Sequence, residues 1–174
     1  MRLISGKYKG KRIDPPASLR ARPTTDFARE GLFSMITHLM DLKGTHVLDL
    51  FAGTGIIGFE CLSRGSASVK AIDIDEKAIR FMRDTASMLG EKNHHPYRTD
   101  AVRVFKKDEQ YHLVFADPPY GHKDTLKIPE LAAPIIHKGG LLVVEHGGEA
   151  GMENFSNFSE TRAYGRVHFS FYRF

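Results

Sequence analysis

From residue 46 onward the chain alternates short apolar runs with longer segments of helical period, and few folds tolerate that pattern. "HVLDLF" is followed by "TGIIGFECLSRG", and "SVKAIDI" by "DEKAIRFMRDTASMLG", whose Ile79, Met82, Ala86 and Leu89 share one face before Gly90. "PYRTD" reads as a short third strand and "YHLVFAD" as a fourth. "IPELAAPIIHKG" reads as a proline-interrupted helix and "GLLVVEH" as a fifth strand. Strands joined by helices of this length require right-handed crossovers, hence a parallel sheet covered on both faces. The last stretch breaks the period. Val167, Phe169 and Phe171 alternate with His168, Ser170 and Tyr172 after a bend at Gly165, which predicts a closing hairpin with an antiparallel last strand. The expectation is an open α/β sheet of seven strands, with ligands outside the carboxyl ends of its parallel strands.

Ahead of this unit, "RLISG" and "GKRID" flank "KYK" and predict a small hairpin. A helix should start at Thr25 or Asp26, with Phe27, Leu32, Met35, Ile36 and Leu39 as its apolar stripe. The division expected is an arm over residues 1–22 and one globular unit over residues 23–174. The arm carries Arg2, Lys7, Lys9, Lys11, Arg12, Arg20 and Arg22 against one acid, Asp14, so most of the chain's positive charge is local. Local positive charge with Tyr8 among it suggests contact with phosphates. No apolar run is long enough to cross a membrane and no signal peptide is visible. The lone cysteine, Cys61, excludes an internal disulfide framework and suits a reducing cytoplasm. His94 and His95 are adjacent, which is not the spacing of a metal pair; they read as loop residues, and no metal is expected.

"VLDLFAGTGIIG" holds Gly53, Gly55 and Gly58 between a strand and a helix, with Asp73 ending the next strand. Alone, that fits a dinucleotide site. Asp49 argues otherwise, because a carboxylate beside a pyrophosphate costs binding energy. S-adenosylmethionine has no phosphate there; its ammonium and sulfonium favour an acid. Asp73 is placed to accept from ribose hydroxyls, and Asp100, ending the third strand, from an adenine amine. At the fourth strand end comes "DPPY". Asp117 and the carbonyl of Pro118 are two acceptors for the hydrogens of a nucleobase amine, Pro118 and Pro119 fix the backbone, and Tyr120 offers a ring on which an extruded base can stack.

"DPPY" with "LDLFAGTG" resembles the amino-methyltransferases that modify exocyclic nitrogens of bases, a group that includes DNA adenine enzymes. "ISGKYKGKRI" followed by "RPTTDFAREGLFSMI" resembles the bacterial 16S rRNA guanine-N2 methyltransferase family, from Arg2 to the last strand. The resemblance implies a seven-stranded Rossmann-like class I S-adenosylmethionine-dependent methyltransferase fold that acts on the 2-amino group of a guanine in small-subunit rRNA. It implies that Asp117, Pro118, Pro119 and Tyr120 form the catalytic ledge. It also implies that Asp49, the loop Phe51, Ala52, Gly53, Thr54 and Gly55, Asp73 with Ile74, and Asp100 with Ala101 hold S-adenosyl-L-methionine. RNA contact is expected from Arg2, Lys7, Tyr8, Lys9, Lys11 and Arg12 of the arm and from Arg22, Thr24, Thr25 and Arg29. The expected partner is 16S rRNA, the small ribosomal subunit or its assembly intermediate, met by a cytoplasmic monomer. Two alternatives stay open at this point: an adenine amino-methyltransferase acting on DNA, and a catalytically silent ribosome-assembly binder.

Overall fold

The structure is a computed structural model that describes residues 1–17, 19, 25–105 and 109–174. Its centre is a seven-stranded sheet of order β3-β2-β1-β4-β5-β7-β6. The strands are β1 (His46–Leu50), β2 (Ser68–Asp73), β3 (His94–Arg98), β4 (Tyr111–Ala116), β5 (Ile136–His146), β6 (Phe158–Tyr164) and β7 (Val167–Arg173). The first five pair in parallel; β7 runs antiparallel to β5 and to β6, with Gly165 at φ +68 in the bend. The expected architecture and closing hairpin are therefore present.

Period-two alternation sorts the strand side chains into two apolar layers. Val47, Val69, Leu113, Phe115, Val143 and Phe171 pack on the face covered by α1 (Asp26–Leu39), α2 (Ile56–Ser63) and α3 (Glu76–Leu89). Leu48, Ile72, Val114, Leu142 and Tyr172 pack on the other, beneath the short α4 (Ile128–Ala132) and irregular segments. Helix α3 is amphipathic; its N-cap Asp75 accepts from the Lys77 N–H, and Gly90 closes it at φ +66. Every residue of α2 is buried. A helix apolar all round needs cover on its outer face as well as on the sheet.

The N-terminal segment supplies that cover. Leu3 and Ile13 belong to the same core as α1 and α2. The small hairpin expected there is present: its runs pair antiparallel at the Arg2–Arg12 bridge, with the N–H groups of Ile13, Leu3 and Gly10 donating to the carbonyls of Met1 (2.9 Å), Lys11 (2.9 Å) and Leu3 (2.8 Å), and a 3-10 turn lies at Gly6–Tyr8. Its tip seats on the carboxyl end of α2, where the buried Glu60 accepts from the backbone N–H groups of Ile4 (2.8 Å) and Ser5 (3.1 Å). Ser63 accepts from the Tyr8 N–H at 2.9 Å and donates to the Ser5 carbonyl. The pairing within the hairpin therefore ends at Leu3, and the backbone of Ile4 and Ser5 bonds to α2 instead.

Three further boundaries differ from expectation. Strand β3 begins at His94, because His94 is buried and stacks on Phe59 with ring centroids 4.1 Å apart; His94 and His95 are strand, not loop. The helix expected over residues 128–139 stops at Ala132, passes through a 3-10 turn at Ala133–Ile135, and β5 already starts at Ile136. Phe27, counted in the stripe of α1, is 71% exposed, and Ala28 and Arg29 are buried instead.

Candidate active site

The four acids singled out by the sequence lie at the carboxyl edge of neighbouring strands. Strand β1 delivers Asp49 and then the loop Phe51–Gly55. Phe51 takes a left-handed backbone (φ +59), as do Gly53 (+53) and Gly55 (+71). For a phenylalanine that conformation costs about 1–3 kcal/mol, a strain the surrounding bonds must hold. They do so from both sides. The Ala52 N–H donates to the Ile72 carbonyl (2.9 Å) and the Gly53 N–H to the Asp73 carboxylate (2.7 Å). Gly55 must be glycine twice over, since a Cβ would also stand 2.8 Å from Met82.

Asp49 is buried and accepts one backbone bond, from Gly58 in the first turn of α2, at 3.1 Å. Burial pushes its carboxyl up to about 8, against the Gly58 N–H and with help from the nearby Asp117 and Asp73 charges. Asp73 divides its oxygens between the N–H groups of Gly53 and Asp75, and retains a lone pair on each. Asp100 is exposed and caps a 3-10 turn by accepting from the Val102 N–H. Ala101 is buried behind it, whereas Ile74 projects into solvent, 69% exposed.

Asp117 adjoins this loop directly. Its N–H extends the β4–β1 ladder by donating to the Leu50 carbonyl at 3.2 Å, which places the DPPY turn beside Phe51. The Phe51 ring meets His122 edge-on at 5.4 Å, and the His122 N–H closes on the Pro119 carbonyl at 2.9 Å. The ledge is thus held at both ends. Burial pushes the Asp117 carboxyl up to about 7. Among the described residues, no donor is assigned to that carboxylate or to the Pro118 carbonyl. Tyr120 is 51% exposed, with its ring against Gly147 just past the end of β5, where a Cβ would come within 3.3 Å.

The residues expected to meet RNA are not brought together. Lys7 and Tyr8 both bond to Glu91, at 2.7 and 2.9 Å, near the start of β3 and thus at the amino edge of the sheet, opposite Asp117. Arg29 is a correction: its side chain is fully buried, donating to the Arg2 carbonyl (2.6 Å) and to Asp26 (2.9 Å), so it cannot lie on a nucleic acid. Thr25 caps α1 by accepting from the Ala28 N–H. Arg2, Lys9, Lys11 and Arg12 are exposed. Arg22 and Thr24 lie outside the described residues. Glu60 escaped the sequence reading: a glutamate in an apolar helix carries no local sign that the distant N-terminal segment will bond to it. Among the described residues, no group of three or more His, Cys, Asp or Glu could hold a metal ion, and no helix is long and apolar enough to cross a membrane.

The strand order, the single antiparallel strand and the acid-tipped carboxyl edge define the Rossmann-like fold of class I methyltransferases. The solved structure of a putative methyltransferase, yhhF, from Escherichia coli superposes with a TM-score of 0.87 at 28% identity, over 99% of this chain and 96% of that one. A putative RNA methyltransferase from Pyrococcus horikoshii, at 17% identity, shares the fold with a TM-score of 0.73, over 92% of this chain and 89% of that one. The chain belongs to the family described as conserved hypothetical protein 95, whose model matches residues 1–173. Among curated relatives it is 39% identical to the ribosomal RNA small subunit methyltransferase D of Buchnera aphidicola over 72% of its own length; that alignment spans 63% of the Buchnera protein. It is 36% identical to the putative rRNA methyltransferase YlbH of Bacillus subtilis, over 86% of this chain and 84% of that protein.

Proposed function

We propose that the chain transfers a methyl group from S-adenosylmethionine to the exocyclic 2-amino group of a guanine in small-subunit rRNA. One observation carries this reading: a mostly buried carboxylate without an assigned donor, Asp117, stands one residue from a loop built around a second buried acid, Asp49. Two such acids side by side are costly unless cationic and hydrogen-bond-donating ligands meet them. Relatives named as rRNA methyltransferases support the substrate class, and the choice of guanine follows the resemblance of the N-terminal segment.

The residues present fit the cofactor. Asp49 would face its cationic amino-acid end, the Phe51–Gly55 turn would admit it against bare backbone, and Asp73 has lone pairs left for ribose hydroxyls. Ile74 and Ala101 would border the adenine and Asp100 its amine. Bound there, S-adenosylmethionine supplies a methyl group activated by the positive sulfur. The chain's own work is positioning. Asp117 and the Pro118 carbonyl take the two amine hydrogens and turn the nitrogen lone pair toward the cofactor, Pro119 keeps the turn rigid, and Tyr120 stacks the base. An Asp117 carboxyl near neutrality suits a group that accepts the amine proton as the new bond forms. One monomer supplies every group named, acting in the cytoplasm where rRNA is made.

The test is label transfer from methyl-labelled cofactor into small subunits and protein-free rRNA from cells lacking this chain, with duplex DNA in parallel. Label on a guanine N2 of the small-subunit rRNA is expected. Label in DNA alone, or rRNA binding with no label, would overturn the proposal.

A further inference from the structure

Phe27 stands in the first turn of α1 and is the most exposed large apolar side chain among the described residues. Its position is built. The ring rests edge-on against Tyr164 at 5.8 Å, and Tyr164 leans on Phe169 at 5.9 Å. Gly31 of the same helix makes room for that seat, since a Cβ there would come within 2.1 Å of the Tyr164 ring. Phe27 is therefore held outward by a ring fitted beneath it.

Two exposed arginines of the arm lie at this end of the helix. Arg2 approaches Asp26 at 3.6 Å and is bridged through its backbone to Arg12; both side chains are largely exposed. Asp26 also serves the buried Arg29, and Asp14 lies 3.9 Å from Arg12, so the acids here are shared. Arg166 projects from the β6–β7 turn next to Tyr164, with no ion pair among the described residues. The strand order runs β4, β5, β7, β6, so the carboxyl edge presents Asp117, Gly147, His168 and Tyr164 in succession. Three strand spacings separate the ends, roughly 14 Å. Tyr120 and Phe27 are thus two exposed rings on one edge with positive charge at the far end, the combination that binds single-stranded nucleic acid.

We propose that Phe27 is a second stacking platform, on which a base flanking the methylated one lies, while Arg166 and Arg2 hold the adjoining phosphates. This rests on the function proposed above and moves the RNA footprint from the tip of the arm to the edge between Asp117 and α1.

The experiment measures binding of a protein-free transcript of small-subunit rRNA at several salt concentrations, in the presence of S-adenosylhomocysteine. Phe27→Ala should weaken binding tenfold or more, since one stacked base accounts for a loss of that size, and Phe27→Trp should restore it. Arg166→Glu should lower the slope of log K against log salt by about one. Lys138→Glu, at the amino edge, should change neither. Far-UV circular dichroism and S-adenosylhomocysteine affinity report whether each variant is folded. Wild-type affinity retained by Phe27→Ala would overturn the proposal. So would an effect confined to assembled particles, which would assign Phe27 to a ribosomal protein, or failure of the wild-type chain to bind protein-free rRNA. Failure of the methyl-transfer reading is separate: it shows as absence of label with the wild-type chain.

Discussion

Cofactor affinity should depend on pH through Asp49. With its carboxyl near 8 in the free protein, only about one molecule in a hundred carries the charge at pH 6, about one in ten at pH 7 and half at pH 8. A cationic ligand selects the ionised form, so binding must expel the proton. The affinity for S-adenosylmethionine should therefore rise about tenfold from pH 6 to 7 and flatten toward pH 8. Near pH 8 the ligand's own ammonium also deprotonates and the curve turns down. Stability of the free protein runs the other way. A carboxyl raised from an ordinary 3.8 leaves the folded state holding the extra proton, so stability is greatest below about pH 4 on this account. It falls by up to about 1.4 kcal/mol per pH unit as pH rises toward 8. The thermal shift produced by the cofactor should accordingly be larger at pH 8 than at pH 6. Calorimetric titration in buffers of different ionisation enthalpy reads both quantities, with close to one proton released per ligand at pH 6 and little net release near pH 8, where Asp49 releases a proton and the ligand's amine takes one up. Asp49→Asn should abolish the rise between pH 6 and 7. Equal affinity at pH 6 and 7, with no proton released, would refute the reasoning that joins Asp49 to the cofactor's charge.

Asp117→Ala should reduce methyl transfer by at least a hundredfold, the scale of a lost acid–base or positioning group, while S-adenosylhomocysteine affinity measured by titration changes less than about threefold, or about 0.7 kcal/mol. Gly6→Ala places a Cβ 1.7 Å from the Ser63 carbonyl oxygen in a left-handed backbone (φ +78); it should cost about 2 kcal/mol, lower Tm by roughly 4–8 °C and speed tryptic cleavage after Lys7 and Lys9. His94→Phe should stabilise the fold by about 1 kcal/mol, read as a raised midpoint in urea, because both ring nitrogens of His94 are buried against Phe59 with no partner among the described residues.

How much of this was legible before the fold was seen follows the range of each interaction. Strand–helix alternation and the glycine and proline turns are local, and they located β1, β2, β4 and the closing hairpin together with Asp49, Asp73 and Asp117. The proline-bearing segment after residue 128 was harder, because Pro134 ends the helix and β5 uses the residues that looked like its last turn. His94 entered β3 through a contact with Phe59, thirty-five positions away. The seat of the arm was the least legible. Its charges suggested contact with phosphates and its two runs a hairpin, but the apolar residues between the charges, Leu3 and Ile13, decide where it lies. Nothing in "LISGKYKGKRI" reveals that Glu60, at the far end of a glycine-loop helix, is waiting for two of its N–H groups.

That helix then links two parts of the site that look separate in sequence. Its first turn holds Asp49 through the Gly58 N–H and starts at the left-handed Gly55 that ends the glycine loop. Its last turn holds Ile4, Ser5 and Tyr8 through Glu60 and Ser63. The arm in turn offers the Arg2 carbonyl to Arg29, two residues after Phe27 on α1. A chain of side-chain-to-backbone hydrogen bonds therefore runs from the glycine loop down α2, across the base of the molecule and back up the arm to the edge where Phe27 and Arg2 stand. Lys7 and Tyr8 extend the same fastening to Glu91, whose carboxyl burial pushes up and these partners, with the Asn93 N–H, hold below its ordinary value. The arm's charges divide accordingly: Lys7 anchors the segment at the amino edge, and the arginines at its other end are carried to the edge where the methyl group would be transferred.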